Sequence, residues 1–168
     1  MIEFMKIRDV KNPKRNAGED AGIDFFVPEY NLIFHDDLLR KNPDLEIDYE
    51  GFVVKPHDAV LIPTGIKSKF DSNLALIAFN KSGVCTRTQL IAGASVIDSS
   101  YHGEWHIHVI NTSDEPVKIE YGTKLIQFIP LVINTEELIV REDTNEEEFY
   151  ANHSSLRGEG GFGSTGLQ

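Results

Sequence analysis

The sequence predicts an all-β sandwich or barrel. Short runs of alternating apolar residues recur along the chain, most clearly W-H-I-H-V-I-N at 105–111 and L-I-Q-F-I-P-L at 125–131. Turn residues interrupt them at short intervals, as in Pro63-Thr64-Gly65, Asp71-Ser72-Asn73 and Tyr121-Gly122. Helical periodicity is scarce. Many short strands with frequent turns are the pattern of a sheet closed or packed on itself.

In chain order, the expected strands are 5–8, 23–27, 51–54, 59–62, 65–69, 74–79, 90–92, 104–111, 117–119 and 124–131. Each is rich in Val, Ile or Phe and ends near Gly, Pro, Asn or Asp. One short helix is expected at 82–89, with Ser82 as its N-cap. H-D-D-L-L-R-K at 35–41 supports a further turn or two. Segment 29–50 is rich in Asp, Glu, Asn and Leu and reads as an excursion from the sheet. Segment 136–152 is acidic and reads as a solvated connection to a glycine-rich end. The expected organisation is a β domain over 1–155, with an insertion at about 29–50, and a C-terminal arm over 156–168.

Bulk properties limit the function. A chain of 168 residues with 40% hydrophobic content can build one domain with a real core. No apolar run approaches the ~20 residues of a membrane span, and M-I-E-F-M-K lacks a signal-peptide pattern. The expectation is a cytoplasmic protein that binds no membrane. The single Cys85 excludes an intrachain disulfide. A net charge of -11 argues against non-specific nucleic-acid binding, which wants a basic face. A polyphosphate ligand would need local donors and a divalent cation to mask repulsion.

The end of the chain is chemically dense. L-R-G-E-G-G-F-G-S-T-G at 156–166 sets five glycines around one aromatic, one arginine and two hydroxyls. Such a segment has too little side chain to build core and too much backbone entropy to order cheaply. Yet it carries a ring to stack on a base and donors for phosphate oxygens. This is the inventory of a lid that orders over a nucleoside polyphosphate.

Four further clusters carry polar chemistry: A-G-I-D at 21–24, N-K-S-G at 80–83, S-V-I-D-S-S-Y-H-G-E at 95–104 and G-T-K-L-I-Q at 122–127. Asp24 alone reads as a turn or surface residue. Lys81-Ser82-Gly83 reads as a helix start or as an anion site. Asp98 reads as a turn residue or as a general base beside a water. Phe162, isolated among glycines, has no local neighbours to pack on and suits base stacking. His106 and His108 share a strand face, but no further residues complete a zinc set, so both read as ordinary sheet residues. Cys85 lacks a paired His or Asn signature for a nucleophile.

Taken in this order, the clusters resemble the five motifs of the trimeric dUTP diphosphatases, from Ala21 to Gly166. R-G-E-G-G-F-G-S-T-G together with V-I-D-S-S-Y-H-G-E carries most of the specificity. The resemblance implies a jelly roll, a homotrimer with shared active sites, and hydrolysis of dUTP to dUMP and pyrophosphate with Mg²⁺. It implies that Asp24 helps hold Mg²⁺ through water and that Lys81, Ser82 and Gly83 contact phosphate. Asp98 would deprotonate the attacking water, with Gln127 near that water and the α-phosphate. The backbone of Gly93, Ser95, Val96 and Ile97 would read uracil, and Tyr101 would pack under deoxyribose. In the arm, Arg157 would meet phosphate, Phe162 would cover uracil, and Gly163, Ser164 and Thr165 would close on the triphosphate.

Four features depart from the family pattern, one of them His102, which stands where Arg or Gln is frequent after Tyr101. Lys81 stands for the usual Arg and lacks its bidentate fork. Ser95 stands where Gly is common. Segment 29–50 is longer than a compact member needs and offers a surface for a protein partner. The alternatives are a dCTP deaminase-like enzyme, which would lack this arm, and a regulatory protein-binding module on the same scaffold.

Overall fold

The computed structural model describes residues 1–134, 138–142, 145–152 and 155. The chain divides into two compact units, Met1–Thr135 and Glu136–Gln168. This boundary falls ahead of the one expected at 155/156.

The first unit is built from short strands in four sheets. Strand β1 (Ile2–Lys6) pairs with β6 (Ile66–Phe70). This places β1 earlier than the expected 5–8, because its register runs from Ile2 opposite Phe70 to Lys6 opposite Ile66. A second sheet has the order β5 (Ala59–Pro63), β10 (His106–Asn111), β8 (Leu90–Ala92). A third runs β11 (Val117–Glu120), β4 (Gly51–Val54), β3 (Glu46–Ile47). The fourth runs β2 (Ile23–Phe26), β12 (Lys124–Val132), β7 (Leu74–Asn80), β9 (Val96–Asp98). All these pairings are antiparallel, with many crossovers, as the all-β jelly-roll expectation requires.

The fourth sheet alternates its two faces along the paired strands, apart from a register shift in β12 between Lys124 and Ile126. Ile23, Phe128 and Ala78 form one inward row, and all are buried. Asp24, Gln127 and Phe79 form the adjacent row on the opposite face, followed along the strands by Ile129, Ile77 and Val96 and then by Leu131, Ala75 and Asp98; Phe79, Val96 and Leu131 are exposed there, while Asp24 and Ala75 are buried. Behind the inward rows, Phe25 stacks on Trp105 with ring centroids 5.1 Å apart and planes 5° apart. Phe4 and Phe128 meet the same pair edge-on or tilted. Each such ring pair adds about 0.5–1.5 kcal/mol beyond area burial.

The expected short helix is α2 (Ser82–Thr88). Its N-cap is Lys81 rather than Ser82, and no side chain caps it. Segment 29–50 holds a second helix, α1 (Leu32–Lys41), started by Asn31, whose side chain accepts from the Phe34 N–H at 2.9 Å. Phe34 and Leu38 are fully buried, so this segment is docked on the core and is not a free excursion. Full burial of each such side chain is worth about 1.5–3 kcal/mol. Asn42 fastens the helix end to β5, donating to Leu61 O and accepting from Leu61 N, both at 2.9 Å. Leu32 and Ile33 remain exposed on the same helix.

In the second unit, acidic 136–152 is not wholly irregular. It forms α3 (Glu146–Phe149), capped by Asn145, which accepts from the Glu148 N–H at 2.9 Å. Three glutamates in its first turn suit the positive end of the helix. No helix among the described residues is long and apolar enough to cross a membrane.

Candidate active site

The expected site residues among the described ones are arranged around β7. Asp24, Lys81, Ser82, Gly83 and Gln127 gather at its Asn80 end. Gly93, Ser95, Val96, Ile97 and Asp98 run antiparallel beside it, from that same end, where the Ala92 N–H donates to Asn80 Oδ1 at 2.6 Å, to Asp98 opposite Ala75, with Tyr101 in the turn beyond. Gln127 stands opposite Phe79, and Asp98 stands opposite Ala75. Four residues of strand separate those two positions, about 13 Å. The expected tail residues Arg157, Phe162, Gly163, Ser164 and Thr165 lie outside the described residues.

Four residues of the first group, Lys81, Ser82, Gly83 and Gln127, line a cavity of about 300 Å³ together with Val84, Arg87 and Lys124. Two of its lining lysines are held by Asp24, which is almost fully buried. The Asp24 carboxylate accepts from Lys81 on one oxygen. On the other it meets Lys124 at 3.1 Å and the Asn16 amide at 2.8 Å. Burial alone would push the Asp24 carboxyl up, but hydrogen bonds from the two lysines outweigh it and hold the group below its ordinary value. Asp24 is therefore an anion that gathers two ammonium groups at a cavity mouth. Gln127 is steered by its Nε2–H donating to Asn80 O at 2.9 Å.

Neither Arg87 nor Lys124 is among the residues expected from the sequence. Arg87 lies four residues after Gly83 on α2, one helical turn along, and its guanidinium rests over that glycine. That spacing was a readable signal. Lys124 lies three residues before Gln127, a spacing that faces opposite ways in a regular strand. A register shift between Lys124 and Ile126 brings both to one cavity.

The second group is a hairpin and the turn after it. Ser95 O accepts from Ala78 N at 2.7 Å, which ties the hairpin to β7. Ser95 does not have a positive φ, so its departure from the family's Gly carries no backbone strain. The Tyr101 N–H donates to Asp98 O at 3.1 Å, closing the turn. The Tyr101 hydroxyl donates to Glu104 O at 2.9 Å. Glu104 in turn receives a two-pronged Arg8 guanidinium at 2.7 and 2.9 Å and the Gly65 N–H at 2.7 Å. Arg8 also pairs with Asp37 of α1. The inserted helix is thus wired to the Asp98–Tyr101 turn.

The donor set does not form a resident metal cage. No group of three His, Cys, Asp or Glu side chains comes together among the described residues. Both Asp24 oxygens already have lysine or amide donors.

The dUTPase family model matches residues 44–166. The deoxyuridine 5'-triphosphate nucleotidohydrolase of Histophilus somni is 36% identical over 151 residues, 86% of this chain and 90% of its own. The chain belongs to the dUTPase family. Solved dUTPases share the fold. The Staphylococcus bacteriophage 80alpha dUTPase with dUpNHpp superposes at a TM-score of 0.75, with 22% identity and 99% of each chain covered. The dUTPase from phage phi11 of S. aureus, which coordinates a structural Mg(II) ion, gives a TM-score of 0.67 at 20% identity, covering 86% of this chain and 98% of its own. In this dUTPase-family chain, the described motif residues occupy one sheet and its flanking turns.

Proposed function

We propose that this chain hydrolyses dUTP to dUMP and pyrophosphate. Its membership of the dUTPase family and the cation-lined cavity support this reading. The observation that carries it is the gathering of Lys81, Arg87 and Lys124 around one 300 Å³ cavity in a chain of net charge -11. Cations concentrated against the overall charge are what a triphosphate requires.

In this mechanism, a water attacks the α-phosphorus in line, and Asp98 takes its proton. Gln127 orients that water beside the α-phosphate. Lys81 and Ser82 hold phosphate oxygens, with Gly83 allowing close approach, and Arg87 supplies the bidentate fork that Lys81 lacks. The backbone at 93–97 reads the uracil edge, and the Tyr101 ring packs under deoxyribose. Arg157, Phe162, Gly163, Ser164 and Thr165 close over the nucleotide and exclude water. Mg²⁺ enters with the triphosphate as part of the substrate and neutralises its charge. Asp24 organises the two ammonium groups, and its water-mediated part in the ion's shell belongs to the same proposal.

The assembly proposed is a homotrimer in the cytoplasm. Asp98 of one copy faces the Lys81–Gln127 cavity of the next. The ~13 Å between these ends along β7 supports a shared site. So does the exposed apolar face of the fourth sheet, where Phe79, Val96 and Leu131 stand out of the core.

The test is turnover of dUTP, dCTP and UTP with Mg²⁺, followed by chromatography. Release of dUMP from dUTP alone is expected. Uridine products from dCTP, or no turnover of any nucleotide, would overturn the reading.

A further inference from the structure

His108 reads in the sequence as an ordinary sheet residue, but its ring makes a contact that sheet pairing does not require. The β8–β10 ladder ends where the Gly93 N–H donates to His108 O at 2.9 Å. One residue later, the Ala94 N–H donates to the His108 ring, to Nδ1, also at 2.9 Å. A nitrogen that accepts carries no proton, so this contact fixes the neutral ring with its hydrogen on Nε2.

The same ring explains Gly93. A Cβ at this position would stand 2.1 Å from His108 Nδ1 and 2.6 Å from Cε1. The backbone of Gly93 does not lie in the positive-φ region, so conformational freedom is not what demands glycine there. The ring occupies the side-chain space, and the absence of a Cβ lets Nδ1 reach the next amide. On the other side of that amide, Ser95 O is held by Ala78 N at 2.7 Å. The hairpin is therefore pinned on two sides, by β7 and by His108, and Asp98 follows three residues after Ser95.

We propose that His108 is a positioning residue for base recognition. Its Nδ1 sets the path of the 93–97 backbone and hence where that backbone meets the pyrimidine edge of the substrate. The inference rests on the proposed reading of the hairpin as the uracil-facing segment. His108 is not among the residues to which the proposed mechanism gives phosphate or the attacking water, so it acts on binding more than on the chemical step.

Two variants separate the acceptor from the bulk. His108→Leu fills the space without an acceptor. His108→Asn keeps one, because its Oδ1 falls close to the position of Nδ1. The expected result is a KM for dUTP raised up to about tenfold in His108→Leu, with kcat within about threefold of wild type, as for loss of one hydrogen bond. His108→Asn should restore KM to within about twofold. Amide exchange at Ala94 should quicken in the Leu variant and recover in the Asn variant. On the wild-type protein, the ¹⁵N spectrum of the ring should show Nδ1 bare and Nε2 protonated. Unchanged KM in His108→Leu, failure of Asn to restore KM or the exchange rate, or a protonated Nδ1 would overturn the proposal. Absence of any dUTP turnover by the wild type would instead overturn the reading of the activity, while the exchange and ¹⁵N measurements still decide whether His108 holds the hairpin.

Discussion

The Gln127 amide occupies the space that a side chain at Gly22 would need. A Cβ on Gly22 would stand 2.1 Å from Gln127 Oε1 and 2.9 Å from Gln127 Cβ. The first clash could be relieved by rotating the amide; the second cannot, because it falls at the root of the side chain. Gly22→Ala should cost about 1–3 kcal/mol as a strained, overpacked contact. It should also move the amide off Asn80 and lower kcat/KM at least about tenfold. Urea unfolding with steady-state kinetics checks both; a variant with normal kinetics would show that the position of Gln127 is unimportant.

Asp24 and its two lysines form a buried anion with partly exposed partners. Asp24→Ala leaves Lys81 and Lys124 facing each other without it. The expected loss is about 3 kcal/mol, at the low end for breaking a buried pair because both lysines keep contact with solvent. A chemical-denaturation midpoint that does not move would contradict this account of the Asp24 cluster.

The Arg8–Glu104–Asp37 cluster predicts an acid limb in stability. Burial raises the Glu104 carboxyl, but the Arg8 and Gly65 hydrogen bonds outweigh it and hold it below its ordinary value. Burial acts likewise on Asp37, and Arg8 likewise overrides it. A carboxyl with a lower pKa folded than unfolded binds fewer protons when folded, so stability rises with pH through this range. The contribution is complete above the ordinary carboxyl value and is lost as pH falls through the folded values, from about pH 5 downward. Glu104→Gln should be less stable at neutral pH and show a shallower decline on acidification. Thermal melts across pH test this; an equally steep decline would assign the acid limb elsewhere.

Asp98→Asn should abolish turnover and leave nucleotide binding nearly intact. The amide keeps the size of the carboxylate but cannot take a proton from water. Loss of about a thousandfold in kcat is expected, with dissociation constants for a non-hydrolysable dUTP analogue changed less than about threefold. Near-normal turnover would remove Asp98 as the base.

The outward apolar face predicts dependence on assembly. Leu131→Glu places a charge on an exposed position of that face, so it should not disturb the core. It should shift the protein from trimer towards monomer in native mass spectrometry, with activity falling in parallel because the cavity and Asp98 would no longer meet. An active monomer would refute the shared site.

Much of this protein was determined by sequence alone. The two-residue period set which side of β12 faces Phe25 and Trp105, because a buried face is selected by hydrophobic alternation. The motif residues were readable because they are local: V-I-D with its following turn, and K-S-G at a strand end. Other features were settled only in three dimensions. The helix of segment 29–50 is docked through Phe34, Leu38 and Asn42, partners that a local pattern does not name. Lys124 reaches the cavity because an irregularity in β12 turns it, and a period of two cannot anticipate a shift in that period. Gly93 is glycine because His108, fifteen residues later, stands where its side chain would be. Contacts between distant segments depend on sheet register, and register emerges only when the strands pair.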